Sequence, residues 1–472
     1  MCAAFEMAHR GQKGVELHID DIPVARDDLD PTEIILSQSQ EQMLITVRPG
    51  DVETLHAVAD KWEISYAKVG EVRDDKRIRV FYNQEKLGDL PVSTLVRGGG
   101  APVYIRNMKT PDRKIVKVTA EEIPAPGNLK EIAKMMITLP NISSRKWIYE
   151  QFDTMSGLSN LSSEYVSDAG ILHLPGHEKL LALSVDGNSR YVRKEPRKGA
   201  MIAVAEASRN IICSGGKPVA LTNGLNFGDP GDLHVYYDFT ESIKGIRQIC
   251  EKMELPVIAG NVSFNNFSKL EDETVSVQPT PVIGMVGLID DLKDVMTVSF
   301  QTKGDMIYLL GKSSNDLSGL EYLARMHLIE ESAAPEIDLE YELKVQKVVS
   351  EIIKKKFISS AHDISMGGLF VALMECCLAN GLGFDITSPA EVREDAFLFG
   401  ESQSRIVVSV NPDKETEFLD FMMEQDIPFS TLGHVTKEEL RVDDTSFGFI
   451  ADYARDYEES LGKLLEGSGS SD

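Results

Sequence analysis

Two stretches of this chain repeat one another at a constant spacing, and the repeat limits the possible folds more than any overall property does. Gln38-Ser39-Gln40 and the apolar run Met43-Leu44-Ile45-Thr46-Val47 show the same order of residue types as Glu401-Ser402-Gln403 and Ile406-Val407-Val408-Ser409-Val410, an offset of 363 (401 minus 38). Val69-Gly70-Glu71-Val72 and Leu432-Gly433-His434-Val435 keep that offset, so the two segments run in register without an insertion. Further upstream, Gly14 to Ile19 matches Gly381 to Ile386 at an offset of 367 (381 minus 14), which places a four-residue length change in the intervening loop. A spacing held at separate landmarks marks a duplicated structural unit. The second copy begins far upstream, near the strand-like Met306 to Leu310, and passes through the helical Tyr341 to Lys356 before Gly381. Few residues precede Gly14, so the first copy is expected to be partial and to lack the equivalent of that opening strand and helix.

Between the copies the pattern alternates strands and helices. Leu180 to Val185, Pro218 to Thr222 and Pro256 to Ala259 read as strands, and Ala200 to Cys213 and Phe239 to Met253 as helices, which predicts an α/β domain from about Gly157 onward. Arg106 to Ser156 reads as a connector of mixed charge, with Pro124, Pro126 and Gly127 as breakers before a helical Leu129 to Ile137. A last helix, Ala451 to Leu465, leads into a Gly/Ser-rich end.

Composition excludes several classes of function. The chain has 472 residues, enough for about three domains at the usual ~150 residues each. Its 49 Lys and Arg against 75 Asp and Glu leave a formal net charge of −26, which repels phosphate backbones and anionic lipid, so neither nucleic acid nor membrane is an expected partner. The longest clean apolar stretch, Pro281 to Ile289, is far short of the ~18 residues of a membrane span, and the N-terminus carries no signal-like block; a cytoplasmic protein is expected. Five scattered cysteines form no CxxC pair, and His173 and His177 enclose Pro175-Gly176, so neither a disulfide framework nor a Cys/His metal motif is indicated.

Four stretches carry residue types suited to chemistry. Leu255 to Ser263 reads as a buried strand ending in Gly260-Asn261. There glycine permits close approach of a phosphate, the Asn261 amide oxygen suits Mg²⁺, and the Ser263 hydroxyl can bond a substrate; a plain Gly-Asn turn is the other reading. Ala220 to Pro230 breaks from a strand into Asn223-Gly224, Asn226 and Gly228, either a loop that wraps a polar ligand or an ordinary loop. Asp186 leaves a strand into Gly187-Asn188, placed to hold Mg²⁺ or a ribose hydroxyl, or to make a simple hairpin turn. His362-Asp363 precedes Gly367-Gly368, where a helix start can face a phosphate; a hydrogen-bonded turn histidine is the alternative.

Together these stretches resemble the aminoimidazole ribonucleotide synthetase-like superfamily and, within it, the large synthetase subunits of phosphoribosylformylglycinamidine synthase. The resemblance rests on Val204-Ala-Glu-Ala-Ser-Arg-Asn210, Leu221-Thr-Asn-Gly-Leu-Asn-Phe-Gly228, Gly260-Asn-Val-Ser263, Pro279-Thr-Pro281, Ser360-Ala-His-Asp-Ile-Ser365 and Phe399-Gly-Glu-Ser-Gln403, in the family's order, and covers residues 1 to about 445. It implies a tandem repeat of an N-like and a C-like domain in an α+β and α/β multidomain chain. The implied boundaries are a partial C-like domain at 1–105, a linker at 106–156, an N-like domain at 157–297, a C-like domain at 298–445 and a tail at 446–472.

The resemblance also implies an activity. In this family ATP phosphorylates the amide oxygen of formylglycinamide ribonucleotide, and glutamine-derived ammonia displaces the phosphate to give the amidine, a step of purine synthesis. ATP and Mg²⁺ are the implied cofactors, and a glutaminase subunit, a small bridging subunit and a separate N-terminal half are the implied partners. Carried over residue by residue, Gln38, Ser39 and Gln40 fall at substrate contacts, Asn223 and Gly260 at ATP contacts, Asn261 at a Mg²⁺ ligand and Ser263 at a further substrate contact. Gln38 and Asn223 stand where the family has acids, each exchanging a carboxylate for an amide and weakening its hold on hydroxyls and cations. Met366 replaces a polar or acidic residue and Asn265 a Tyr. The family's catalytic His, its general-base His in Ser-His-Asn-His and its nucleotide Lys match no segment here. The expectation is a split or truncated synthetase inactive as the lone chain; the alternative is an inactive nucleotide-binding scaffold that assembles with partners.

Overall fold

The computed structural model describes residues 2–24, 26, 28–37, 42–96, 100, 103–152, 159–162, 165–270, 273–319 and 321–467, in two compact units, Met1–Arg106 and Asn107–Asp472.

The smaller unit is one four-stranded sheet. Strand β1 (Gly14–His18) lies between β2 (Gly70–Arg73), which runs antiparallel to it, and β3 (Arg77–Tyr82), which runs parallel; β4 (Glu85–Pro91) pairs antiparallel with β3. The helix Cys2–Arg10 sets Ala4, Phe5 and Ala8 into a core with Leu17, Ile19, Ile34, Ile78, Val80, Val92 and Val96. Asp30 caps the helix Pro31–Leu36, and Glu33 reaches back to the Asp30 amide.

The larger unit holds two main sheets. The first contains β5 (Gly170–His173), β6 (Leu180–Asp186), β7 (Lys217–Asn226) and β8 (Val257–Ser263); after the hairpin β9 (Phe267–Leu270) and β10 (Glu273–Ser276), it is completed by β11 (Thr280–Ile289). Its order is β5-β6-β11-β7-β8, so β8 is an edge strand. The second comprises β12 (Met306–Leu310), β13 (Ser360–Asp363), β14 (Gly383–Ile386), β15 (Ile406–Val410), β16 (Phe429–Thr436), β17 (Glu439–Val442) and β18 (Thr445–Phe449), in the order β13-β15-β12-β16-β14-β17-β18. The helix Pro196–Cys213 packs between the two, touching β6 and β11 on one side and β13 and the helix Leu339–Lys354 on the other, which explains why it is buried nearly all round. Residues 107–152, read from sequence as a connector, contribute Val118, Ala120, Ile132, Ala133, Met136 and Ile137 to the core of the second sheet. Among the described residues no helix is long and apolar enough to cross a membrane, and four of the five cysteines are buried free thiols.

The repeat is visible in the strand pairings. The end β16-β14-β17-β18 of the large sheet reproduces β2-β1-β3-β4 in order and direction. Leu17 faces Gly70 as Ile386 faces Gly433, so Gly14 corresponds to Gly383, an offset of 369 (383 minus 14) instead of the 367 read from sequence. The loop therefore differs by six residues rather than four. A slip of two keeps every side chain on its face, so the hydrophobic pattern alone does not register it.

Candidate functional site

Four of the proposed contact residues lie on β7 and β8, which pair in parallel: Asn223 beside Gly260, Gly224 beside Asn261, and Asn226 beside Ser263. Strand β7 runs on to Asn226, so what the sequence suggests is a loop after Thr222 is regular strand. Gly260 lies close under Asn223: a Cβ there would lie 2.7 Å from Asn223 Oδ1, so that amide would have to turn aside. Side chains alternate along a strand. Asn223 therefore shares the face of Leu221 and Leu225, which pack under the helix Leu233–Met253, while Asn261 and Ser263 point to the opposite face. A ligand touching all four would straddle the free edge of β8. Ser263 Oγ donates to Asn266 Oδ1 at 3.2 Å, and the Asn266 amide donates to the carbonyls of Phe227 and Ser263, so this hydroxyl is held by the following turn. Strand β8 is not the buried strand expected from its apolar run: it continues to Ser263 and is open to solvent, with Ile258 67% exposed. An apolar run reports a tendency to be covered, and here the edge position leaves it uncovered. Gln38, Ser39 and Gln40 lie outside the described residues.

A second group assembles where the helix Pro196–Cys213 meets β13. Asp186 at the end of β6, Glu206, Arg209 and Asn210 on the helix, and Asp363 on β13 converge, so the structure joins two stretches that sequence reading treats separately. Asp186 does not make a hairpin; Asn188 caps a helix, Ser189–Lys194, directly after it. Arg209 is fully buried and each of its guanidinium nitrogens donates once, to Glu342 Oε2 at 2.8 Å, Gln403 Oε1 at 2.9 Å and Asp363 Oδ2 at 3.4 Å. Burial opposes its charge, but Glu342, Asp363 and Glu206 hold it firmly cationic. One arginine does not satisfy this many acids. Burial, then the charge of Asp363, push Asp186 up to about 7. Burial, then Asp168, push Asp363 up to about 6, and burial with Asp186 pushes Glu206 well above the usual carboxylate range.

These acids fit a hard divalent cation. Asn210 Nδ2 donates to Asp186 Oδ1 at 2.8 Å, but the other oxygen, Oδ2, is buried with no hydrogen-bond partner, and an orphaned carboxylate oxygen among acids of raised pKa is what Mg²⁺ would satisfy.

His362 lies on β13 rather than in a turn. Its Nδ1 meets Asp168 Oδ1 at 2.5 Å and its Nε2 meets Glu375 Oε2 at 3.0 Å. Burial alone would lower its pKa, but Asp168 holds it well above the ordinary value, so the ring is a buried imidazolium. Asp168, His362 and Asp363 are close enough to suggest a metal cluster, yet both ring nitrogens are spent on carboxylates, leaving the imidazole no lone pair to offer. Asp168 and Glu342 escape sequence reading altogether. The available signal was a Glu and an Arg inside the apolar Ala200 to Cys213, since a charge buried on such a helix must find partners.

The two sheets, their repeat and this junction define a class. The description "AIR synthase related protein, C-terminal domain" matches residues 1–83 and 302–444, one match for each copy, and the corresponding N-terminal domain matches 166–289; the chain belongs to the AIR synthase related family. Within it, the chain is similar to subunits named PurL. It is 39% identical over 442 residues to the phosphoribosylformylglycinamidine synthase subunit PurL of Alkaliphilus metalliredigens, covering 93% of this chain and 59% of that one. It is 37% identical over 437 residues to that of Chlorobaculum tepidum, covering 91% and 57%. The chain thus spans somewhat under two thirds of the length of these relatives. Among solved structures, Thermotoga maritima PurL complexed with ADP matches 92% of this chain and 62% of its own at a TM-score of 0.60 and 21% identity. The same protein complexed with FGAR matches 92% and 60% at 0.59 and 22%, which supports the fold.

Proposed function

We propose that this chain is part of the synthetase subunit of phosphoribosylformylglycinamidine synthase, the cytoplasmic enzyme that converts formylglycinamide ribonucleotide to its amidine with ATP and ammonia. The observation that carries the reading is the similarity to PurL subunits over 93% of the chain. In the reaction the γ-phosphoryl group passes to the amide oxygen, ADP leaves, and ammonia then displaces phosphate at the same carbon. Asn223 and Gly260 would contact ATP, Gln38, Ser39, Gln40 and Ser263 the substrate, and Asn261 a Mg²⁺ ion. Mg²⁺ would neutralise triphosphate charge, and the acidic junction of Asp186, Glu206 and Asp363 is a further place for it. The chain's own residues bind and orient; the proton-handling histidines of the family match no segment here. Ammonia would come from a glutaminase partner, with a small bridging subunit and a chain carrying the remaining N-terminal half completing the assembly. The solved structure of PurLQS from Thermotoga maritima, which this chain resembles in fold, supports the expectation of partner subunits.

Calorimetry with Mg·ATP tests this. Asn261→Ala should weaken binding by about 1–3 kcal/mol, the worth of one charge-assisted contact. Unchanged affinity would return Gly260-Asn261 to a structural role. An ADP-release assay with ammonium and substrate should show turnover only when the remaining segment is added; turnover by the chain alone would mean that the proton-handling groups lie within these residues.

A further inference from the structure

Beyond the acidic junction runs a chain of hydrogen bonds that the proposed reaction does not use. Asp168 divides its oxygens: Oδ1 takes His362 Nδ1, and Oδ2 accepts the backbone N–H of Asp363 at 2.9 Å. One carboxylate therefore fixes both the imidazole and the segment of β13 that carries the cluster acid. Glu375, on the helix Gly368–Leu378, also divides its oxygens, Oε2 to His362 Nε2 and Oε1 to the Tyr457 hydroxyl at 2.5 Å. Tyr457 belongs to the helix Ile450–Gly467. That helix is also anchored in the core by Ile450, Tyr453 and Leu461, and at its surface Lys146 meets Glu458 at 2.8 Å and Trp147 Nε1 donates to Glu466 at 3.0 Å. Every polar atom of Asp168, His362 and Glu375 is thus engaged in a line that ends at one phenol.

We propose that Asp168, His362, Glu375 and Tyr457 are positioning residues through which the C-terminal helix sets the placement of Asp363 and hence the affinity of the acidic junction for a divalent cation. The proposal rests on reading that junction as a cation site. The physical ground is saturation. Loss of the phenol takes away the partner of Glu375 Oε1, and the same carboxylate holds the imidazole through Oε2, so its rearrangement is felt at the ring. Movement of the ring moves Asp168, and Asp168 holds the Asp363 amide. Cation affinity depends on ligand placement to a fraction of an ångström, so such a shift is read out at the metal.

The test is Mn²⁺ titration of the intact chain by calorimetry, with thermal melts to establish folding. Wild type should bind Mn²⁺, and Asp186→Asn should abolish that binding. Tyr457→Phe and Glu375→Gln should each weaken it by about three- to tenfold, the loss expected for one buried hydrogen bond. Glu458→Gln frees the same helix from Lys146 without touching the line, and should leave affinity within about twofold, as for an exposed ion pair. Unchanged affinity in Tyr457→Phe, or equal weakening in Glu458→Gln, overturns the relay while leaving the cation site standing. Absence of binding that Asp186→Asn removes overturns the cation reading, and the relay with it. Rescue of the Tyr457→Phe loss is not expected from any surface change on the helix.

Discussion

The two copies of the repeated sheet share a local plan and differ in their neighbours. In the larger unit β15 lies between β13 and β12, and all five of its residues are buried. The matching run Met43 to Val47 in the smaller unit forms no strand; Met43 is 87% and Ile45 58% exposed. The residue types are alike, so the difference lies in the partners: among the described residues of the smaller unit no counterpart of β12 or β13 pairs with this run. By contrast the four strands that need only one another form identically in both copies. Strand identity is thus a property of the sheet, while register is a property of the strand pair.

The largest expected consequence is in local stability. Amides of β12, β15 and β16 should exchange at least about a hundredfold more slowly than those of β1 to β4, because they open only with the complete sheet. Equal protection in a chain shown to be monomeric would break the comparison. A smaller effect sharpens the equivalence of the copies. A Cβ at Gly70 would lie 2.1 Å from the Glu16 carbonyl oxygen, and one at Gly433 would lie 1.9 Å from that of Asp385. Gly70→Ala and Gly433→Ala should each cost on the order of 1–3 kcal/mol, as overpacking does, each in its own unit alone. Trp62 reports the smaller unit and Trp147 the larger, so melts of single-tryptophan variants separate the two; a Gly433→Ala change felt at Trp62 would contradict independent units.

The smallest effect is one of sign with pH. Asp186 and Asp363 keep their protons to about 7 and about 6 in the folded chain, against about 4 when unfolded, and His362 also binds its proton more tightly when folded. The folded state then holds more protons across this range, so in the absence of divalent cations these groups add stability as pH falls from 7.5 to 5.5. In the smaller unit Asp89 is held low chiefly by Arg77, and Asp75 chiefly by Arg79; their contribution is present at neutral pH and lost only below the ordinary carboxylate range. The larger unit should therefore melt a few degrees higher at pH 5.5 than at pH 7.5, and the gain should shrink in Asp186→Asn, while the smaller unit is unmoved. A pH slope unchanged by Asp186→Asn would mean that the junction acids are not its source.

Reading the sequence reached the repeat because a Ser-Gln pair followed by an apolar run, with a glycine at fixed spacing beyond it, is a local feature. It missed by two residues the offset at Gly14, a slip that alternation cannot reveal. It placed strands and helices of the α/β domain close to their observed bounds, but took Leu255 to Ser263 as buried, since an apolar run says nothing of what covers it. The candidate contacts of β7 and β8 were legible as short motifs. The junction was not legible as one site: Asp168, Asp186, Arg209, Glu342 and Asp363 come from five separate elements or loops, and only packing of the Pro196–Cys213 helix between two sheets brings them together.

The close approach of Asn223 over Gly260 has a consequence for how this chain can change. The Asn223 amide fills the space a methyl group would occupy, so the two positions, distant in sequence, form one mutational unit. Any larger residue at 260 must turn the Asn223 amide aside, so a change at one position is felt at the other. Asn223→Asp is different, because the carboxylate has the shape of the amide it replaces. A single exchange there alters charge and leaves geometry alone, so this corner of the chain stands one step from an acid at that position.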